Sequence, residues 1–131
     1  ALGVAQLEQL PIFLKRKKEI NHIYKKEIEK INGIELSNSP QYSSNNNWLN
    51  VLQINLNEYS LNAEDLMLKL EKNGIQSRPI WKLNHTQAPF KNFQNYKIDN
   101  AQKMIDKSLC IPSSSKLTDD EISRVVESLY E

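Results

Sequence analysis

Two Asn-Gly pairs, Asn32-Gly33 and Asn73-Gly74, do most to constrain how this chain folds. Both residues tolerate the left-handed backbone, so a helical pattern that runs into such a pair ends there. Before the first pair, Leu10, Phe13, Leu14, Ile20, Tyr24, Ile28 and Ile31 form one apolar stripe at helical spacing. Pro11 removes an amide donor and crowds the preceding turn. We therefore expect one helix over about 1–10 and a second, with Pro11 in its first turn, running to about Ile31. Before the second pair, Ala63, Leu66, Met67 and Leu70 stand at i, i+3, i+4 and i+7, with Ser60 or Asn62 as the N-cap.

Between and after these helices the pattern changes. Ser37 to Asn47 holds Pro40 and three consecutive asparagines and reads as a loop. Trp48 to Leu56 reads as a strand, with Leu52, Ile54 and Leu56 on one face and Gln53 and Asn55 on the other. A short strand is expected over Ile75 to Ile80, then a long loop from Trp81 to Lys97 rich in aromatics. Asn100 is placed as the cap of a helix with Ala101, Met104 and Ile105 inward, and Leu109 to Ile111 as a buried strand stopped by Pro112. Thr118 and Glu121 form a capping box ahead of Ile122, Val125, Val126 and Leu129. The expected fold class is α/β, built as a two-layer α+β domain: three short strands with helices on one face, preceded by a long N-terminal helix. Its parts are linking helices over 1–33 and an α/β sandwich over 48–131. The first long helix has no strand before it, so part of its stripe is expected to lie exposed.

Composition narrows the function. The 131 residues carry 17 Lys plus Arg against 16 Asp plus Glu, a net charge of +1, without the basic excess of a nucleic-acid binder. No apolar run approaches the roughly 20 residues that cross a bilayer. Cys110 stands alone, which excludes a disulfide framework and a multi-cysteine zinc site. His22 and His85 are far apart in sequence, so no metal centre is expected. Gly3, Gly33 and Gly74 form no phosphate-cradling cluster, and the common catalytic signatures are missing, so no catalytic residue is assigned. These features fit a small soluble intracellular domain.

The chemistry-bearing residues have plain readings beside functional ones. Lys15 to Lys18 with Lys25 and Lys26 read as a solvated helix face, since Glu19, Glu27 and Glu29 lie among them; the alternative is a polyanion-binding helix. Cys110 reads as a packing cysteine, His22 as surface, and Met67 and Met104 as core. Arg78, Trp81, Lys82 and His85 are the candidate substrate-binding residues. Arg and Lys hold phosphates, an indole stacks on a flat base, and an imidazole donates to a hydroxyl or phosphate. All four stand at a strand end and in a long loop, where sites form; the alternative is edge-strand charges with an anchoring tryptophan.

At these residues the chain resembles the C-terminal part of the DegT/DnrJ/StrS-type sugar-nucleotide aminotransferases, pyridoxal-phosphate enzymes of fold type I. Ala1 to Glu8 resembles the family's segment where a helix leaves the large domain, and Lys15-Arg16-Lys17 with Tyr24 the basic run and tyrosine that follow. Trp48 resembles the opening of the first small-domain strand. Asn73-Gly74-Ile75, Arg78-Pro79-Ile80-Trp81 and His85 resemble the "NGI…RP-W…H" pattern. Ser108 to Ser113 resembles the closing "LCLPS" strand, and Leu117 to Ile122 the "LT-EEI" helix start.

The resemblance implies a small domain of a cytoplasmic, homodimeric enzyme. That enzyme would move an amino group from an amino acid such as glutamate to a keto-sugar nucleotide, of the 4-keto-6-deoxy kind, in surface-polysaccharide or glycan biosynthesis. It implies that the first helix packs against a large domain. It places the Schiff-base lysine, the aspartate at the pyridine nitrogen and most phosphate ligands upstream of Ala1. The large cofactor-binding domain is then absent from this chain, and pyridoxal phosphate is expected in the parent enzyme but not on these residues alone. The alternative from another class is a stand-alone α/β interaction or regulatory module.

Overall fold

Leu2–Ile28 forms one uninterrupted helix, α1, in the computed structural model, which describes residues 1–130. The expected break at Pro11 does not occur, and the helix stops at Ile28, short of Ile31. A mid-helix proline orphans the carbonyl four residues earlier, here that of Leu7. Leu7 is exposed, so water can take that carbonyl and the helix continues. The stripe along α1 is half used. Ile20, Tyr24 and Ile28 have no exposed surface, and each of the two isoleucines contributes roughly 1.5–3 kcal/mol by leaving water. Phe13 and Leu14 are half-buried, and Leu10 is 41% exposed. The anchored half of α1 is therefore the C-terminal one.

Among the described residues the sheet has four strands, not the three expected: β1 (Ile34–Leu36), β2 (Asn50–Ile54), β3 (Arg78–Pro79) and β4 (Ser108–Ile111), in the order β1-β2-β4-β3 and antiparallel throughout. The additional strand, β1, pairs Ile34 with Ile54 and Leu36 with Leu52. Strand β2 is shorter than the Trp48–Leu56 reading. Its ladder opens at Asn50 opposite Ile111, while Asn55 turns the chain by accepting the Asn57 amide on its side-chain oxygen. Leu56 consequently lies 59% exposed instead of inward. Strand β3 covers two residues of the six expected, because Pro79 has no amide to extend an edge ladder.

Register divides the sheet into two faces. Ile34, Leu36, Leu52, Ile54, Leu109 and Ile111 share one, and it is buried with residues of α1, of α2 (Ala63–Lys72) and of α4 (Asp119–Glu127). The two-layer fold with helices on one face stands on this cluster. Arg78 lies opposite Cys110, and Cys110 opposite Val51, on the other face.

The caps follow the local chemistry. Asn62, rather than Ser60, caps α2, accepting the amides of Glu64 and Asp65 at 2.9 Å each. At the other end the Gly74 amide reaches Glu71 and the Ile75 amide reaches Leu70, with Gly74 at φ +69, a Schellman closure. Thr118 and Glu121 form the expected capping box. Helix α3 (Asp99–Ile105) differs: Ile98, not Asn100, is its cap residue, and Met104 is 49% exposed instead of inward. Within it Ala101 and Ile105 are half-buried and no residue is fully buried.

Tyr24 gives a direct test of this packing. Its hydroxyl is buried with no partner among the described residues, and burial plus the nearby Glu121 pushes the phenol above its ordinary range. An unpaired buried polar group costs about 1–3 kcal/mol. Tyr24→Phe keeps the ring and removes that group, so urea unfolding should show equal or greater stability, by about 1 kcal/mol.

Candidate functional site

The site is assembled where β3 and β4 end. Arg78 is carried onto the open face of the sheet by its register opposite Cys110. Two residues beyond Pro79, Trp81 leaves the strand and meets Trp48, which approaches from the loop before β2. The ring centroids are 5.7 Å apart with planes inclined at 32°, within the range of favourable aromatic pairs. Each indole is 63% exposed. Trp48, Arg78, Pro79, Trp81, Cys110 and Ser113 line a cleft of about 490 Å³.

Of the four residues expected from sequence, the structure brings Arg78 and Trp81 into this cleft. Lys82 and His85 line a second hollow with Phe90 and Phe93, next along the loop. His85 is the middle residue of a single 3₁₀ turn, Asn84–Thr86, and is half-buried, while Lys82 is exposed. Phe90 and Phe93 pair at 6.5 Å, so the loop is partly shaped by its own aromatics.

Trp48 was not assigned to the site from sequence, where it appeared only as the start of a strand. A second tryptophan directly after three asparagines was the available signal. The basic run was also misread in part. Arg16 pairs with Glu19 at 3.4 Å as a solvated face would, but it also reaches Asp119 at 2.8 Å and the Leu117 carbonyl. Asp119 is the chief reason the Arg16 guanidinium sits above its usual range. Lys17 turns inward to the carbonyls of Trp48 and Ser113.

Arg78 is the charged residue in the lining of the cleft. The ion pairs among the described residues use Arg16 and Lys30, so Arg78 has its guanidinium uncommitted there. A guanidinium presents a planar fork suited to carboxylate or phosphate, and paired exposed indoles offer a flat apolar wall.

Cys110 lines the wall of the cleft as a buried free thiol. It is 7% exposed and burial pushes its thiol up. The thiolate is the reactive form, so its population rises only above the ordinary thiol range. Iodoacetamide should label Cys110 about ten-fold or more slowly in the folded chain than in urea near neutral pH. The native rate should climb at higher pH than that of a free thiol, as intact-mass kinetics will show.

The sequence profile of the DegT/DnrJ/EryC1/StrS aminotransferase family matches residues 1–130. EpsN of Bacillus subtilis (strain 168), assigned as a pyridoxal phosphate-dependent aminotransferase, is 30% identical over 134 residues, covering 98% of this chain and 33% of that protein. The GDP-perosamine synthase of Vibrio cholerae is 26% identical over 128 residues, covering 95% of this chain and 34% of that enzyme. Among solved structures, DesI in the presence of its TDP-sugar product superposes with a TM-score of 0.87 at 18% identity, over 97% of this chain and 33% of that one. The chain thus spans about a third of the length of the curated relatives it matches.

Proposed function

Given that the chain belongs to the DegT/DnrJ/EryC1/StrS aminotransferase family, we propose that it is the C-terminal small domain of a cytoplasmic, pyridoxal-phosphate-dependent sugar-nucleotide aminotransferase. The parent acts as a homodimer and transfers an amino group from an amino acid such as glutamate to a keto-sugar nucleotide of the 4-keto-6-deoxy kind, for surface-polysaccharide or glycan biosynthesis. The observation that carries this reading is the cleft of Trp48, Arg78 and Trp81 at the sheet's open face, in a chain matched by the family from end to end. The name of the Vibrio cholerae relative, a GDP-perosamine synthase, supports the sugar-nucleotide class.

In this reading Arg78 binds a phosphate or hydroxyl of the nucleotide sugar, and Trp81 and Trp48 wall its flat or apolar part. Lys82 and His85 approach the same ligand from the neighbouring hollow, one as a cation and the other as a hydrogen-bond donor. The cofactor, when bound in such enzymes, supplies the electron sink. The described residues do not fit it. Lys17, whose ammonium is drawn inward, gives it to two main-chain carbonyls, and Lys82 and Lys107 line open clefts. Lys107 shares its cleft with Glu35 and Glu58, and Lys15 shares another with Glu19, but all five are exposed, so none of these lysines is enclosed as a Schiff-base amine would be.

The full-length protein, given glutamate and a series of keto-sugar nucleotides, should yield an aminated nucleotide sugar with equal 2-oxoglutarate. Transfer to none of them contradicts the reading. The 131-residue chain alone, mixed with pyridoxal phosphate and reduced with borohydride, should show no single lysine labelled stoichiometrically and should not transaminate. One specific, fully labelled lysine would reverse that expectation.

A further inference from the structure

The inward turn of Lys17 has no counterpart in the solvated-face reading of its basic run. Its Nζ donates to the carbonyl of Trp48 at 3.1 Å and to the carbonyl of Ser113. These partners lie 31 and 96 residues away in sequence, so one ammonium ties α1 to two separate loops. The Ser113 hydroxyl donates to the same Trp48 carbonyl at 2.8 Å. Trp48 and Ser113 both line the cleft.

Trp48 depends on this tie more than a strand residue would. It precedes β2, so no ladder bond fixes its carbonyl. Its amide is held only locally, by the Asn46 side chain at 3.0 Å. Its indole is 63% exposed and has Trp81 as its aromatic partner, so packing restrains it weakly. The donors from Lys17 and Ser113 are the long-range restraints on its main chain. Lys17 is half-buried, and loss of water around it lowers its pKa. Holding a desolvated ammonium in place requires partners that repay that loss, which the two carbonyls do.

We propose that Lys17 is a positioning residue: shared between the carbonyls of Trp48 and Ser113, its ammonium sets the Trp48 indole against Trp81 and so fixes the wall of the Arg78 cleft. The substrate side of this role rests on the reading of that cleft as the nucleotide-sugar wall. Lys17 itself touches no ligand. It acts through Trp48, and removing its charge loosens the indole pair while leaving the buried cluster of Ile20, Tyr24 and Ile28 intact.

The chain holds two tryptophans, so the circular dichroism couplet of stacked indoles reads this one pair. Trp81→Phe defines its zero. Lys17→Met, which keeps the alkyl stem, should cut the couplet several-fold with the helical signal and melting temperature little changed, and Lys17→Arg should restore it. Ser113→Ala, which removes the other donor to the Trp48 carbonyl, should give an intermediate couplet. A full couplet in folded Lys17→Met overturns the proposal; where Lys17→Met does not fold, a full couplet in Ser113→Ala does so. In the unsubstituted chain, uridine or guanosine diphosphate should quench tryptophan fluorescence, and several-fold more nucleotide should be needed in Lys17→Met. If neither nucleotide quenches while the couplet still depends on Lys17, the cleft reading fails on its own, and the substrate role of Lys17 fails with it.

Discussion

Gly33→Ala should destabilise the chain by about 3 kcal/mol or more, the sum of two costs that fall at one position. Gly33 has φ +78, and an L side chain in that region costs roughly 1–2 kcal/mol. A Cβ there would also lie 2.6 Å from the Tyr59 amide nitrogen and 2.7 Å from the Glu58 carbonyl carbon. Both are backbone atoms, and neither can swing aside. The Gly33 carbonyl accepts the Asn55 amide at 2.7 Å, and Asn55 accepts the amides of Glu58 and Tyr59. The start of β1 and the turn after β2 are thus locked together, and overpacking such a junction costs roughly 1–3 kcal/mol. Against a domain stability of about 5–15 kcal/mol, that is a large share. Gly74→Ala is the internal control. Its φ is +69, but the new Cβ would meet only the Arg124 guanidinium tip at 3.1 Å. Urea midpoints should therefore fall much further for Gly33→Ala than for Gly74→Ala, whose cost is about 1–2 kcal/mol. Equal shifts contradict the close-approach argument.

The same contrast explains what was legible in the residues and what was not. Both Asn-Gly pairs announce a left-handed backbone, but only the structure shows that Gly33 is also crowded. Helices α2 and α4 were readable because their caps and apolar spacing are local. Strand β1 was not, since Ile34-Glu35-Leu36 is too short to carry a period and becomes a strand by pairing with Ile54 and Leu52. Pro11 argued for a break that an exposed Leu7 makes unnecessary. Helix α3 did not follow its expected inward face, since it buries no residue fully and Met104 stays 49% exposed. In the site, Arg78 and Trp81 stood out by residue type and position. Their partner Trp48, and Lys17 behind it, enter through sheet register and the docking of α1, which no local pattern records.

In the full-length protein, Arg78→Ala should weaken apparent affinity for the nucleotide sugar by about ten-fold or more. Loss of a charge-assisted hydrogen bond costs roughly 1.5–3 kcal/mol, and 1.4 kcal/mol is ten-fold. Arg78 is exposed and uses none of the ion pairs among the described residues, so its removal should leave folding stability almost unchanged. The effect should appear in the dependence of rate on nucleotide-sugar concentration, with the dependence on amino donor little altered. Arg78→Lys should recover only part of the loss, since an ammonium cannot reproduce the planar fork. An unchanged concentration dependence in Arg78→Ala would return the residue to an edge-strand charge.

The account turns on whether the cleft of Trp48, Arg78 and Trp81 walls the nucleotide sugar. A crystal structure of the full-length protein with a bound nucleotide sugar measures this directly. The Arg78 guanidinium should lie within hydrogen-bond distance of a ligand oxygen, and the Trp81 ring should lie in van der Waals contact with the ligand. A ligand seated elsewhere, with Arg78 in solvent and both indoles as exposed as they are here, would contradict the account.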